Sequence, residues 1–419
     1  MAADSPIAIA PAAAMVPDVS HYLRPGTLRL TALPPLSLYV HFPWCVHKCP
    51  YCDFNSHEHA GGNAAIPEAA YLDALCADLE CALPLVWGRR IQTIFIGGGT
   101  PSLLSSAGLD RLLADVRARL PLAADCEITL EANPGTVEAQ RFADYRASGV
   151  NRLSLGIQSF DDAALRALGR IHDSAQARAA VDIAARNFDN FNLDLMYALP
   201  GQDLEQCRRD LATAIGCASP HLSLYQLTLE PNTVFAKYPP AGLPDEDTAA
   251  AMQEHIEQAT GAAGYEHYEV SAYARPGRRS RHNLNYWQFG DYLGIGAGAH
   301  SKLSFPHRIV RQVRLRQPES YLRALGGRTF VAESTEVARG DLGFEFMLNA
   351  LRLAQGFAPS DFVERTGLQL STIERSLADA ESRGLITRTH QRIAPTPRGR
   401  LFLSDLQALF LPVGRDVPA

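Results

Sequence analysis

The sequence predicts an α/β protein, a partial (β/α)6 barrel followed by a mainly helical, winged-helix-like C-terminal domain. Short runs rich in β-branched and aromatic residues alternate with helical patterns over residues 36–231, which is typical of a parallel sheet built from βα units. Polar residues and glycines recur where these runs end, and in such barrels the carboxyl ends of the strands form the chemically active face. Beyond residue 336 the pattern is largely helical.

Six of these runs are predicted to be the strands of the barrel. Helical patterns at residues 67–86 and 106–119 separate the first three of them. Six units are too few for a closed eight-stranded barrel, so we expect a partial one. The predicted strands cover residues 36–42, 91–96, 127–130, 152–155, 191–196 and 222–227.

The same patterns divide the chain into four regions. Residues 1–35 are rich in Ala and Pro with few charges and are expected to form a flexible N-terminal extension, and residues 36–231 form the barrel. Residues 232–335 form a further extension, in which residues 265–275 predict another strand. Residues 336–419 form the C-terminal domain.

The C-terminal domain contains a pattern of helix, turn, helix and short β-wing over residues 358–393. Several arginines make this end locally basic, but Glu374, Asp379 and Glu381 interrupt the positive charge. A winged helix that reads DNA is one interpretation, and a packing module is the other, because folds of this kind serve many functions. We favour the packing module and expect no nucleic-acid partner.

Composition narrows the classes of function. The formal charge of −6 argues against a generally cationic surface, and the hydrophobic fraction of 47% is ordinary for a soluble protein. No run approaches the roughly 18 apolar residues of a membrane span, and residues 1–35 lack the pattern of a secretory signal. We therefore expect a cytoplasmic protein, whose clustered cysteines indicate a metal or catalysis rather than disulfides.

Three cysteines lie within eight residues, spaced C-x3-C-x2-C at Cys45, Cys49 and Cys52. An ordinary four-cysteine iron–sulfur site uses a fourth thiolate, and none follows here. A cubane held by three cysteines would keep one iron open to a small molecule. Two other interpretations stay open at this point: a zinc knuckle completed by His57 or His59, and a reduced structural cluster with no metal.

Further polar residues and glycines lie at the ends of later strands. The run Gly97–Pro101 follows a predicted strand and precedes a helix, and the missing side chains let backbone amides approach a ligand closely. Glu131 and Asp194 could accept hydrogen bonds from ribose hydroxyls or an ammonium, and Gln158 and Arg170 could reach a carboxylate. The alternative for each isolated polar residue is a capping or loop contact.

The order of motifs resembles the radical S-adenosylmethionine (SAM) superfamily, and within it the coproporphyrinogen III oxidase-like (HemN-like) branch. The motifs are Y-x-H-x-P-x-C-x3-C-x2-C, G-G-G-T-P, E-x-N-P, G-x-Q-S-F and D-L-M-Y-x-L-P-G, and the resemblance covers residues 36–410. It implies a [4Fe–4S] cluster on the three cysteines. It implies that a cluster-bound SAM is lined by Tyr39, Gly98, Glu131, Thr228 and Gly298. Positions that contact a second SAM in the oxidase match Phe54, Gly99, Thr100, Gln158, Arg170 and Asp194.

Two features within this branch resemble the haem chaperone (HemW) family more than the oxidases. Phe54 stands where the oxidases have another cysteine, and residues 282–287 match an H-N-x-x-Y-W motif. The resemblance implies haem binding at His282, Asn283, Tyr286 and Trp287. Histidine and tyrosine are known haem ligands, and the aromatic rings offer flat apolar surface. The alternative is a loop whose aromatic residues only fasten it to the barrel.

Three functional hypotheses follow. The first is a haem chaperone that carries haem as cargo to recipient haem proteins, membrane-associated respiratory enzymes being one class of recipient, with a SAM-bound cluster as a structural or regulatory element. The second is an enzyme, oxygen-independent coproporphyrinogen III dehydrogenase, which uses radical SAM chemistry. The third is a zinc-binding regulatory protein with a winged-helix module, which the ordered barrel motifs disfavour.

Overall fold

The computed structural model of the protein describes residues 19–59, 66–135 and 141–412. Most of its strands belong to one twelve-stranded sheet. In chain order the strands are β1 (Leu36–Phe42), β2 (Trp44–Cys45), β3 (His57–Glu58), β4 (Ile91–Gly98), β5 (Leu122–Ala132), β6 (Arg152–Gln158), β7 (Phe191–Tyr197), β8 (His221–Gln226), β9 (Glu266–Glu269), β10 (Ala272–Ala274), β11 (Asp291–Ile295), β12 (His300–Phe305), β13 (Arg308–Arg314), β14 (Val331–Glu336), β15 (Ile386–Arg388) and β16 (Ile393–Pro395).

Helices follow most of the central strands, as the alternating pattern predicts. Short 3₁₀ turns occur at Leu83–Val86, Pro101–Leu103, Ala324–Gly326 and Leu370–Ile373. The α-helices of the described ranges are α1 (Val19–Leu23), α2 (Glu68–Ala82), α3 (Ser106–Arg119), α4 (Phe142–Ser148), α5 (Asp162–Ala167), α6 (Ser174–Asn187), α7 (Leu204–Gly216), α8 (Val234–Lys237), α9 (Glu246–Ala262), α10 (Arg281–Trp287), α11 (Pro318–Arg323), α12 (Leu342–Ala350), α13 (Pro359–Thr366), α14 (Glu374–Ser382), α15 (Pro397–Leu401) and α16 (Leu403–Ala408).

The centre of the sheet is the predicted partial barrel. Strands β1, β4, β5, β6, β7 and β8 are neighbours in that order, and every pair is parallel. These strands read as nearly continuous apolar runs because helices cover their outer face. The prediction of an α/β fold with six βα units and a helical C-terminal region is confirmed.

Strands from later in the chain extend the barrel sheet at both edges. At one edge β11 pairs in parallel with β1, and β12, β13 and β14 follow in antiparallel order. At the other edge β10 pairs antiparallel with β8, and β9 pairs with β10. The single strand predicted over residues 265–275 is therefore two short strands, separated by a turn at Val270 and Ser271.

A second apolar core forms under the C-terminal helices. Phe346 is fully buried and makes edge-to-face contacts with Phe357 and Phe362. Strands β15 and β16 pair antiparallel beside it, as the predicted wing requires. Leu28 and Leu30, which precede the first barrel strand in the chain, also belong to this core.

The N-terminal segment is packed from residue 19 onwards. Tyr22 is buried and stacks on Phe305, with 4.8 Å between ring centroids. The Leu28 and Leu30 amides donate to backbone carbonyls at residues 307 and 306, at 3.1 and 2.9 Å. Residues 19–35 therefore differ from the flexible extension expected from composition, because their scattered apolar side chains find a core that local composition does not reveal. Residues 1–18 lie outside the described ranges.

Candidate functional site

The three-cysteine loop lies at the carboxyl end of β1, and its own hydrogen bonds fold it into a compact turn. The Lys48 ammonium donates to the backbone carbonyls of Phe54 and Ser56, at 3.2 and 3.0 Å. The Cys52 amide donates to the Cys49 carbonyl at 3.1 Å. Strands β2 and β3 pair in parallel and fasten the two ends of the loop together. The loop therefore presents its cysteines from a defined backbone.

Each of the three thiols has a different environment. Cys45 is buried, and this burial raises the pKa of its thiol. The Arg170 guanidinium lies 3.6 Å from the Cys49 sulfur. The Ser56 hydroxyl lies 3.6 Å from the Cys52 sulfur. These contacts suit three thiolate ligands that face a common space.

That space does not resemble a site for a single metal ion. Within residues 19–59, 66–135 and 141–412, no three His, Cys, Asp or Glu side chains converge closely enough to hold one ion. His57 lies on β3, and its backbone amide donates to the carbonyl of residue 43. The three thiols of the loop are a donor set that suits an iron–sulfur cluster, because cysteine thiolates hold the irons of such clusters.

The glycine run at the end of β4 allows the cysteine loop to approach the sheet. Gly98 has φ +119°, and a Cβ there would lie 2.8 Å from the Phe42 carbonyl oxygen. A Cβ on Gly99 would lie 2.5 Å from the Trp44 carbonyl oxygen and 3.1 Å from the Cys45 sulfur. The absence of side chains at these glycines therefore lets the cysteine loop pack against the end of β4. It also leaves their backbone open to a ligand.

A cavity of about 410 Å³ opens below the cysteines, and we call it the first cavity. Its volume falls within the range of about 300–1,000 Å³ usual for small-molecule sites. It is lined by the three cysteines and by nine of the eleven residues predicted to bind SAM, which are Phe54, Gly98, Gly99, Thr100, Glu131, Gln158, Arg170, Asp194 and Thr228.

Two carboxyl groups in the first cavity influence each other. Burial and the nearby charge of Asp194 raise the pKa of Glu131 to about 8, although the Gly98 amide donates to its Oε2 at 3.0 Å. Burial also raises the pKa of Asp194, which accepts from the Ser154 hydroxyl at 2.9 Å and the Asn192 amide at 2.8 Å. Near neutral pH Glu131 therefore carries a proton for much of the time.

Arg170 and Gln158 line the first cavity, and each has a structural feature that the sequence did not indicate. The Arg170 guanidinium donates to Asn133 Oδ1 at 2.7 Å and to the Gly156 carbonyl at 2.9 Å, so it is already held beside Cys49. Gln158 has φ +67°, which is uncommon for a residue with a side chain, and such strain occurs most often at functional sites.

A second cavity, of about 620 Å³, adjoins the first, and Phe54, Gly98 and Glu131 line both. Tyr39 and Gly298 line the second cavity only. Thr228, which the resemblance placed with Tyr39 and Gly298, lines the first cavity instead. The full lining of the second cavity is Tyr39, His41, Asp53, Phe54, Asn55, Gly98, Glu131, Tyr286, Tyr292, Gly298, His300, Val313, Arg316 and Glu333.

Sequence reasoning missed several residues of these two cavities. Lys48 lies between two of the cysteines and Asn133 lies in the E-x-N-P motif, so both carried a local signal. His300 ends the glycine-rich segment that contains Gly298. Arg316 carried no signal, because it reaches the cavity through the pairing of β13 with β12 and not through a motif.

The H-N-x-x-Y-W segment forms helix α10 and lies at the opposite end of the barrel, where the strands begin. The amides of Arg281 and His282 donate to the Glu127 carboxylate at 3.2 and 3.1 Å, and the Ser280 hydroxyl caps the helix. The Asn283 amide donates to that cap. This helix therefore packs against the amino ends of the strands, which is the face of a barrel that usually serves stability.

His282 itself is inside the protein, with 3% of its surface exposed. The Thr93 hydroxyl donates to Ser37 at 2.8 Å, so His282 Nδ1, 2.8 Å from Thr93, carries the proton in that hydrogen bond. Its Nε2 has no partner within the described residues, and burial lowers the pKa of the ring to about 3. The placement differs from an accessible haem-binding segment, and haem binding by His282 stays a prediction.

The two aromatic residues of the motif have different surroundings. The Trp287 ring packs under the Arg352 guanidinium, 4.2 Å from the ring centroid. Tyr286 stacks on Tyr292 with 4.3 Å between ring centroids and reaches the second cavity. Of the four residues predicted to bind haem, Tyr286 is the one that lines a cavity described above.

An open six-stranded parallel barrel with a three-cysteine loop at its carboxyl end defines a class, the radical SAM proteins. Comparison with known protein families supports the same class. The radical SAM superfamily matches residues 39–214, and the HemN C-terminal domain matches residues 337–402. None of the helices in the described part of the chain is both long and apolar enough to span a bilayer.

Comparison with individual proteins narrows the class. The chain is 49% identical to "Heme chaperone HemW" of Escherichia coli, over 91% of this chain and all of that one, and 34% identical to the protein of that name from Bacillus subtilis, over 90% and 99%. The structure superposes on coproporphyrinogen III oxidase (HemN) of Escherichia coli with a TM-score of 0.77, at 25% identity and 90% coverage of each chain. The chain belongs to the HemW family of radical SAM proteins.

Proposed function

We propose that this protein is a haem chaperone, which binds haem and passes it to haem proteins. The observation that carries the proposal is the full-length similarity to proteins named heme chaperone HemW, at 49% identity for the Escherichia coli protein. Recipient haem proteins, membrane-associated respiratory enzymes among them, and a cytoplasmic location belong to the same proposal.

The radical SAM family implies a [4Fe–4S] cluster and SAM, and the residues of the first cavity fit both groups. Cys45, Cys49 and Cys52 would hold the cluster, because their thiols line the same cavity and Arg170 supplies a cation beside one of them. A cluster with SAM supplies one-electron chemistry when both are bound.

The chain's own residues would bind and orient SAM. Backbone amides of Gly98 and Gly99 lie beside the cysteines with no side chain to obstruct a ligand. Glu131 and Asp194 supply carboxyl oxygens that accept hydrogen bonds. Tyr39 and Gly298 line the adjoining second cavity, whose wall also includes Gly98 and Glu131.

Phe54 is the position at which the proposal departs from oxidase chemistry. Its ring is 58% exposed and lines both cavities, whereas the oxidase resemblance requires a thiol there. A phenyl ring cannot donate or accept the proton that a thiol can. We therefore expect no decarboxylation of coproporphyrinogen III.

The test is a pair of measurements on one preparation of the reconstituted protein. Haem titration, followed at the Soret band, should saturate at one haem per chain. Incubation with coproporphyrinogen III, SAM and a reductant should give no protoporphyrinogen IX. Product formation at an enzymatic rate, or the absence of saturable haem binding, would each refute the proposal. A Phe54→Cys variant, assayed in parallel, tests whether a thiol at this position is sufficient for the decarboxylation.

A further inference from the structure

A series of hydrogen-bonded polar groups runs inside the barrel from the first cavity to helix α10. Asp194, in the wall of that cavity, accepts from the Asn192 amide at 2.8 Å. Asn192 Oδ1 lies 2.6 Å from His221 Nδ1, and His221 Nε2 lies 2.9 Å from the Tyr268 hydroxyl. The Ser280 backbone amide donates to that hydroxyl at 3.3 Å, and Ser280 is the residue that caps α10. We call these five residues the polar path.

The four members of the polar path beyond Asp194 are shielded from water, with 1% or less of their surface exposed. In such surroundings a hydrogen bond is stronger than at the surface, and a polar group without a partner is costly. Two serines support the centre of the path, since the Ser223 hydroxyl donates to Asn192 Oδ1 at 3.1 Å and the Ser154 hydroxyl accepts from Asn192 Nδ2 at 2.8 Å. A change at one member therefore alters the hydrogen bonds of the next.

The Asn192 amide fixes the direction of the hydrogen bonds in the polar path. Its Nδ2 donates to Asp194, so its oxygen faces His221 and His221 Nδ1 carries a proton. Burial, with the charge of Arg152 nearby, lowers the pKa of His221 well below its usual range, so the ring carries one proton only. Nε2 therefore accepts from the Tyr268 hydroxyl. Every donor in the path points towards the Asp194 carboxylate.

The polar path has one alternative arrangement, in which these hydrogen bonds run the other way. The Asn192 oxygen would then face the Asp194 carboxylate, and the proton of His221 would lie on Nε2. Tyr268 would accept from both His221 and the Ser280 amide, and its own proton would lose the acceptor that it has now. Hydrogen bonds from a ligand favour the ionised form of a carboxyl group. A ligand at Asp194 therefore favours the observed arrangement over the alternative.

We propose that the polar path couples SAM binding at Asp194 to the packing of helix α10, with His221 and Tyr268 as positioning residues. This inference rests on the SAM site that the proposed function assigns to the first cavity. Because α10 carries the H-N-x-x-Y-W motif, the path connects the cofactor with the segment for which the family resemblance implies haem binding. Coupling between two sites is reciprocal, so a change at the α10 end also changes the affinity for SAM.

The variant Tyr268→Phe tests the coupling, because it removes one hydroxyl and leaves the ring in place. In the reconstituted wild type, saturating SAM should slow hydrogen–deuterium exchange of the backbone amides of residues 280–287, measured by mass spectrometry. The variant should bind SAM about fivefold to tenfold more weakly, and saturating SAM should no longer slow exchange in this segment. The matched control is Tyr22→Phe, which removes another buried hydroxyl, 3.3 Å from the Ser334 hydroxyl, and should behave as the wild type.

A second pair of variants separates positioning from a general loss of structure. If Tyr268 acts through Asp194, the double variant Asp194→Asn/Tyr268→Phe should bind SAM as weakly as Asp194→Asn alone. Losses of affinity that add would overturn the inference, as would SAM binding to the wild type with no change in exchange at α10. Slower exchange that persists in Tyr268→Phe would also overturn it, and would indicate that SAM reaches α10 through Tyr286, which lines the second cavity.

Haem titration of the same preparation reports on the proposed function separately. A wild type that shows the coupling but binds no haem would refute the chaperone and leave the polar path standing. A wild type that binds haem but shows no coupling would refute the polar path alone. A wild type that binds no SAM would overturn the SAM site and this inference together.

Discussion

At the scale of single residues, the three cysteines and the groups around them determine whether a cluster can form. Cys49 has a guanidinium beside it, while Cys76 lies on helix α2 with its sulfur 3.9 Å from the Glu80 carboxylate, outside both cavities. The C-x3-C-x2-C spacing predicted the ligands because all three lie on one short loop. It could not predict Arg170, which reaches Cys49 from the segment that follows α5.

We expect Cys49→Ser to lose nearly all of the iron that the reconstituted protein carries. Three thiolates leave no spare ligand, and a serine hydroxyl is a poor substitute for a thiolate at iron. Iron content and the broad absorption near 400 nm are the measurements, and Cys76→Ser is the control, which should keep wild-type iron. Wild-type iron in Cys49→Ser would exclude the assigned ligand set.

Glu131 should make the stability of the cofactor-free protein depend on pH. Its pKa is raised from 4.5 to about 8 in the folded state. Between these values the folded state holds a proton that the unfolded state has released, so stability falls as pH rises through this window. The slope is at most about 1.4 kcal/mol per pH unit from one group.

The variant Glu131→Gln cannot ionise and should therefore lose this dependence. We expect urea unfolding to show that the wild type loses stability relative to the variant as the pH rises from 5 to 8. Above pH 8 the difference in free energy of unfolding should become constant. A difference that is the same at every pH would show that this carboxyl does not titrate with a raised pKa.

At the scale of elements, helix α10 carries the H-N-x-x-Y-W motif, which the sequence revealed, but its place in the fold could not be predicted. The central strands were predictable because parallel strands buried on both faces have continuous apolar runs. The seven residues of α10 have no periodicity long enough to tell a surface loop from a buried helix. Its place depends on Glu127, which is 155 positions earlier in the chain than His282.

We expect His282→Ala to destabilise the protein by about 2–4 kcal/mol, since it leaves a cavity inside the barrel and removes the buried hydrogen bond between His282 and Thr93. Chemical denaturation of the cofactor-free protein measures this loss. The control is His390→Ala, which removes an exposed ring and should cost less than about 0.5 kcal/mol. Equal stability of the two variants would mean that α10 is not packed as described.

At the scale of the whole molecule, distant segments are joined in one sheet and two cores. Strand β11 pairs with β1 across about 250 residues of chain, from Asp291 to Leu36, and nothing local in the sequence predicts such a pairing. The second core likewise joins Leu28 and Phe289 to the C-terminal helices. This is why the sequence predicted the barrel and its cysteine loop but not that Tyr286 of α10 and Tyr292 of β11 line one cavity with Tyr39 of β1.

We expect Phe346→Ala to destabilise the molecule by about 3–5 kcal/mol, because its ring is fully buried among Phe289, Phe357 and Phe362. The control is Phe402→Ala, since that ring is 47% exposed and should cost far less. Thermal unfolding measures both. Similar melting temperatures for the two variants would contradict the second core.

The central claim, that this protein carries haem and delivers it, is tested most directly by a transfer experiment. The haem-loaded protein is mixed with a haem-free acceptor enzyme, and the acceptor's own Soret band and activity are followed. We predict that one haem per chain moves to the acceptor and restores its activity. An acceptor that stays haem-free and inactive while the wild-type protein keeps its haem would contradict the account.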